Sequence, residues 1–206
     1  MAQAVSALTG IKIAPVGTPQ NPTPSAPSPS GPLRPNAKNL TSPALSQDKP
    51  GQSITGRKIA VLACEGVDAA DLAAIRKIIS AAGALTELVA AQAGLIADSA
   101  GKRQPVDRPA ANAASVLYDA VIIPGGTVDS LSRSGWATRF VDEAYRHGKP
   151  IAALGAGTAI FDACSFAAPQ PKQGVITGEG KAAIDDLAHA LLSHRFPRRA
   201  IEPHSV

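Results

Sequence analysis

The stretch Lys58–Ala90 constrains this chain more than any other. Lys58-Ile-Ala-Val-Leu-Ala63 is a short apolar run suited to a strand buried on both faces. Asp68 follows as a helix N-cap, with Asp71 three residues on in the approximate spacing of a capping box. Leu72, Ile75, Ile79 and Ala82 recur at helical spacing, and Gly83 stands where a helix C-terminus takes a left-handed residue. Ala84–Ala90 is the next apolar run. Strand, helix and strand within roughly thirty residues make a βαβ unit, which implies parallel strands. A parallel sheet needs helices on its faces, so the rest of the chain must supply more of the same.

It does. Leu95-Ile-Ala97 and a weaker run near Val106 flank Asp98-Ser-Ala-Gly101, the pattern of a small hairpin. Asp119-Ala-Val-Ile-Ile123 is a central strand stopped by Pro124-Gly125-Gly126. Trp136, Phe140, Val141 and Ala144 share one helical face; Gly148 and Pro150 end that helix, and His147 complements its C-terminus. Ile151–Leu154 is another buried strand, followed by Gly155-Ala-Gly157 and a helix to about Cys164. Gly174–Thr177 is a late strand, and Ile184, Leu187, Ala188, Leu191 and Leu192 form the stripe of a last amphipathic helix. The expected class is α/β, a three-layer sandwich with a mostly parallel sheet.

The first part of the chain cannot belong to that fold. Ten of the 18 prolines lie in residues 1–56, while all seven aromatics lie at or after Tyr118. With no aromatic and few large apolar side chains such a segment cannot offset the entropy of ordering. Pro-Thr-Pro-Ser-Ala-Pro-Ser-Pro-Ser at 22–30 favours an extended polyproline II spacer. Residues 1–55 therefore read as a Pro/Ser-rich tail and linker, and 56–206 as the foldable domain.

Several classes of function are set aside on composition. The net charge of +4 is carried mostly by the tail, and no basic cluster is interleaved with aromatics, so nucleic acid is not expected as a partner. Arg195, Arg198 and Arg199 read as a solvated chain end. Cys64 and Cys164 make neither a disulfide framework nor a CxxC motif. The N-terminus lacks a signal peptide's charged start and apolar core, and the weakly polar stretch Ile151–Phe161 is too short to span a bilayer. A cytoplasmic location without membrane contact is expected.

Chemistry in such a sheet gathers at the carboxyl ends of the strands, here at Cys64–Asp71, Pro124–Thr127 and Gly155–Thr158. The Gly155 turn is where a nucleophile elbow would hold serine or cysteine, but the residue is glycine and Ala156 beside it is no base. Gly155-x-Gly157 lacks the third glycine of a dinucleotide fingerprint. Gly174 to Gly180-Lys181 is one residue too long for a phosphate loop, and Ala182 stands where magnesium needs a hydroxyl. Cys64 ends a strand beside a helix start, a position where a thiol can be activated but is more simply a covered core residue. Asp71 complements its own helix N-terminus, or presses on a neighbouring catalytic group. His189 and His194 are five apart and share no face for metal; both read as helix-surface residues, and no metal site is expected.

Gly56-Arg-Lys-Ile-Ala-Val-Leu-Ala63 with Glu65-Gly-Val-Asp68, the run Ser115–Gly126, Glu143–Ala152 and the segment Ala188–His194 together resemble the C-terminal domain of large-subunit, clade-II-type bacterial catalases. Ser42-Pro-Ala-Leu-Ser46 resembles the linker that joins that domain to the catalase body. The resemblance implies the class I glutamine amidotransferase-like superfamily, near the PfpI-like proteins, and hence a flavodoxin-like sandwich. Active PfpI-like members carry cysteine on the elbow, often followed by histidine; the matching positions are Gly155 and Ala156. Their acidic partner matches Asp71, and the Pro124-Gly125-Gly126 turn that lines their pocket is retained. Cys64, Gly125, Gly126 and Gly155 are then what remains of a vestigial pocket. No segment matches the distal His and Asn or the proximal Tyr of a haem site, so haem is expected only in a related catalase body. The resemblance implies a non-catalytic accessory domain with a catalase body, other catalase subunits or its own copies as partners. The alternatives are a free-standing PfpI-like hydrolase or glyoxalase using Cys64, and a small-molecule-binding flavodoxin-like module.

Overall fold

The computed structural model describes residues 50–126, 129–166, 173–197 and 199, all within the compact unit 46–206. The tail expected over residues 1–55 lies outside the described residues as far as residue 49. Residues 50–55 pack on the domain: the Gly51 N–H donates to the Leu192 carbonyl at 2.6 Å, and Ile54 is a core residue.

The chain runs β1 (Lys58–Leu62), α1 (Ala69–Ala81), β2 (Leu85–Ala90), β3 (Gly94–Ala97), β4 (Arg103–Val106), β5 (Arg108–Pro109), β6 (Ala120–Ile123), α2 (Asp129–Ser132), α3 (Gly135–Arg146), β7 (Ile151–Leu154), β8 (Val175–Gly178) and α4 (Gly180–Ser193). Six strands form one sheet in the order β5-β2-β1-β6-β7-β8, parallel at every pairing. β3 and β4 form a separate antiparallel hairpin around Asp98–Gly101. The α/β sandwich expected from the sequence is the one observed. β2 is laid on one side of β1 and β6 on the other, so the crevice between the carboxyl ends of β1 and β6 is a topological switch point.

Period-two alternation sorts the core into two layers. Ile59, Val61 and Ala63 face Leu72, Ile75 and Ile79 of α1 and Ile184, Leu187 and Leu191 of α4. Ala60 and Leu62 face the other way, toward Ala137, Phe140, Val141 and Ala144 of α3. Most of these side chains are fully buried, each contributing about 1.5–3 kcal/mol where it is a large aliphatic or phenylalanine.

Four local expectations are corrected. Asp68 caps α1, its carboxylate accepting the Asp71 N–H at 2.8 Å, but the reciprocal half of a capping box is not made. Asp71 turns instead to the Gly125 N–H, and the Asp68 N–H donates to the Gly125 carbonyl, each at 2.9 Å. Gly155–Ala163 is a 3-10 helix rather than an α-helix. Two glycines in its first three residues, and the Thr158 hydroxyl bonding back to the Gly155 carbonyl at 2.9 Å, weaken the α-helical alternative. Arg199 is not solvated. It is 1% exposed, donates to the Lys149 carbonyl at 2.6 Å, and lies over the rings of Tyr145 and Phe196 at 4.8 and 5.2 Å. His194 is half-buried and sits 3.2 Å from Asp119, which also accepts from Arg57 and from the Lys58 N–H, both at 3.0 Å. His147 caps the C-terminus of α3, and His189 is exposed, as expected.

Candidate functional site

Three turns meet at the carboxyl ends of β1, β6 and β7. The chain leaves β7 at Gly155, whose φ of +48° is the left-handed conformation of a sharp strand-to-helix elbow. A Cβ built at Gly155 would meet no atom within 4 Å, so the elbow has room for a side chain and carries none. Two residues on the space closes: a Cβ at Gly157 would lie 2.7 Å from the Ile123 and Pro124 carbonyl oxygens. The β6 turn is clasped equally closely. Gly126 bridges to Val67, and a Cβ there would lie 2.3 Å from the Gly66 carbonyl oxygen. Ala156 is exposed and brings only a methyl group.

Asp71 reaches this cluster from α1. Its carboxylate accepts from the Gly125 N–H and lies beside the position a Gly125 Cβ would take, which in turn neighbours the Leu154 carbonyl just before the elbow. The carboxylate thus ties α1 to the β6 turn. Asp71, Gly125 and Gly155 are brought together. Cys64 is not among them. It continues the alternation of Ala60 and Leu62 and so belongs to the α3 layer, whereas α1 with Asp71 packs on the opposite layer.

The covered thiol expected at Cys64 is only half covered. Cys64 is a reduced cysteine in the wall of a cavity of about 390 Å³ that also involves Trp136, Leu131 and Gln92, but not Gly125, Gly126 or Gly155. The sequence placed Trp136 on the core face of α3. At the second residue of the helix its ring overhangs the end of the core, and a large aromatic at a helix start was the available signal. Cys164 is the covered thiol: buried, bonded to the Ile160 carbonyl at 3.3 Å, with burial pushing its pKa up to about 12.

Among the described residues neither tyrosine is presented as a haem ligand. Tyr118 and Tyr145 are 2% and 1% exposed, Tyr118 donating to Glu87 at 2.8 Å, and burial together with that carboxylate raises the Tyr118 pKa. Neither the 390 Å³ cavity nor a neighbouring groove of about 480 Å³ is lined by tyrosine or histidine. The described residues of these two cavities do not fit a haem held by tyrosine or histidine. Among the described residues no group of three or more His, Cys, Asp or Glu could hold a metal ion, and no helix is long and apolar enough to cross a membrane.

The fold is of one kind: the α/β sandwich of the DJ-1/ThiJ/PfpI proteins. The chain superimposes on Drosophila melanogaster DJ-1beta with a TM-score of 0.57 at 16% identity, covering 71% of this chain and 95% of that one. For a ThiJ/PfpI domain protein from Brachyspira murdochii the TM-score is 0.56 at 18% identity, over 68% and 96% of the two chains. At such identities the likeness is one of fold. Residues 55–201 match the model of the C-terminal domain found in long catalases, and the chain belongs to that family. It is 44% identical over 124 residues to a catalase HPII of Mycobacterium avium (58% of this chain, 18% of that one). It is 30% identical over 202 residues to a catalase HPII of Pseudomonas aeruginosa (97% and 26%). The chain thus spans about a quarter or less of the length of these relatives.

Proposed function

We propose that this chain is a non-catalytic accessory domain of a large-subunit catalase, stabilising or helping to assemble a catalase body that removes hydrogen peroxide. Gly155 carries this reading. The elbow keeps its backbone twist, its open space and its tie between Asp71 and Gly125, while the position of the attacking atom is a hydrogen. Such a turn can shape a site but cannot attack a carbonyl. Haem, on this reading, belongs to the catalase body alone. The partners are that body, other catalase subunits or further copies of this chain, in the cytoplasm, with neither membrane nor nucleic acid involved.

An accessory domain needs a contact surface. Val116 and Leu117, just ahead of β6, are 73% and 50% exposed, and Leu85 at the start of β2 is 57% exposed. These apolar side chains all lie toward the amino end of the sheet, away from the elbow, and support a partner on that side. The rival reading, a hydrolase or glyoxalase working through Cys64, finds no histidine or lysine in the cavity that the thiol lines, and the carboxylate there, Glu65, is engaged by the Ala97 N–H.

The chain should co-elute with a large-subunit catalase stripped of its own C-terminal domain and lengthen that enzyme's half-life on heating. Alone it should show no Soret band and no peroxide consumption. A stripped catalase that neither binds the chain nor gains lifetime from it would sink the proposal.

A further inference from the structure

The 390 Å³ cavity on the α3 side has no part in the accessory role. It opens at the carboxyl ends of β1 and β2 and is lined on the α3 side by the apolar Leu131 and the aromatic Trp136. Its volume lies in the ~300–1,000 Å³ range of small-molecule sites, and it borders the switch point where open parallel sheets take ligands. A few polar residues line it: Cys64, Gln92, Ser130 and Ser134. Ser134 stands at the N-cap of α3 but makes no side-chain capping bond to that helix. No lysine, arginine or histidine lines the cavity, and its one ionisable carboxylate, Glu65, accepts the Ala97 N–H at 2.7 Å. No cationic side chain offsets an anion and Glu65 repels one, while the N-terminus of α3, from which Ser134 and Trp136 line the wall, offers a partial positive charge only.

We infer that this cavity binds a small uncharged ring compound against Trp136, with its polar edge toward Ser134 and Gln92. The site is separate from the elbow and needs no nucleophile.

The chain supplies its own reporters, because Trp136 is its one tryptophan and Cys64 lines the same wall. The probes are 4-nitrobenzamide and its anionic counterpart 4-nitrobenzoate. The uncharged probe should quench Trp136 saturably and slow alkylation of Cys64 by about fivefold at several times its Kd, with the anion binding markedly more weakly. Trp136 also borders the 480 Å³ groove beside Arg139 and Glu143, which Cys64 does not line. Two rim variants separate the cavities: Ala91 and Ala111 are both exposed, one on each. Ala91→Phe should abolish the saturable quenching and Ala111→Phe should leave it. The reverse pattern, linear quenching alike for both probes, or saturable quenching that leaves Cys64 unprotected would overturn the inference. Should the thiol react too slowly to follow, the two phenylalanine variants decide through Trp136 alone.

Discussion

At the carboxyl end of the sheet this domain turns on glycine and backbone; at the amino end it turns on buried charge. Gly125, Gly126, Gly155 and Gly157 let three loops approach closely, and the Asp71 carboxylate ties α1 to the Gly125 turn. At the other end Lys149 is 2% exposed and donates to the Ser115 and Tyr118 carbonyls, Arg199 donates to the Lys149 carbonyl, and Asp119 gathers Arg57, the Lys58 N–H and His194. The difference separates two tasks. The carboxyl end holds a close-packed glycine turn at low energetic stake, since such a turn leaves no buried charge exposed when it is altered. The amino end concentrates desolvated polar groups, where one missing partner leaves others stranded.

The largest effect should therefore come from the amino end. Lys149→Ala removes a buried ammonium and strands two carbonyls, and charge-assisted hydrogen bonds are worth about 1.5–3 kcal/mol each. Urea unfolding should show a loss of about 3 kcal/mol. A loss under about 1 kcal/mol, the scale of an exposed lysine, would erase the contrast between the two ends.

At the carboxyl end the strongest tie is weaker. Asp71→Ala leaves the buried Gly125 N–H without its acceptor and should cost about 1–2 kcal/mol in the same assay. Asp71→Asn retains an acceptor and should recover most of that. An Asn variant as unstable as the Ala variant would mean that the charge, not the tie, is what matters there.

The contrast also explains what was legible in the sequence. Strand and helix spacing exposed β1, α1, β6, α3 and α4, because both layers obey simple periodicities. Residue type alone makes Gly155-Ala156 a tight strand–helix turn, which the structure has; an emptied elbow is what the family resemblance implies. Lys149 and Arg199 were not legible: Lys-Pro after a helix and Arg-Arg near a chain end look like solvated surface. Their burial depends on partners 31 to 50 residues away, which no local pattern encodes. Asp71 failed for the same reason, its local spacing suggesting a capping box while Gly125, 54 residues on, took the carboxylate. Cys64 was misplaced because strand parity assigns it to the α3 layer, and parity becomes meaningful only once the layers are known.

A pH series sharpens the comparison further. Burial, with the nearby Arg195, brings the Lys149 pKa down from 10.5 to about 8, against partial support from Asp119 and Glu143. Between those values the unfolded chain holds a proton that the folded chain has released, so this contribution to stability rises with pH through the window. Cys164 and Tyr118 act oppositely. Burial raises both, so their contributions fall once pH passes the ordinary thiol and phenol values of 9.0 and 10.0. The difference between wild type and Lys149→Met isolates the lysine. The stability of wild type relative to the variant should rise by about 2 kcal/mol from about pH 7.5 to about pH 9.5. Parallel profiles would show that the ammonium is well solvated in place.

The smallest effect on stability should come from refilling the elbow. Gly155→Cys puts an L-residue at φ +48°, a left-handed conformation costing about 1 kcal/mol, and since a Cβ there meets nothing within 4 Å no steric cost is added. Gly155→Ala should cost the same, which separates backbone strain from any effect of sulfur. The new thiol would stand at the first residue of the 3-10 helix Gly155–Ala163, among backbone N–H groups that favour a thiolate. Alkylation followed by mass spectrometry should therefore find the introduced elbow thiol reacting faster than Cys64, with Cys164 inert. Turnover should still be absent. Ala156 offers no base, and the Asp71 carboxylate is held by the Gly125 N–H. Hydrolysis of a small ester or conversion of a small α-oxoaldehyde by the variant would show that the carboxyl end had kept its chemistry as well as its shape. The division between a shaped end and a charged end would then need redrawing, with Asp71 on the reactive side.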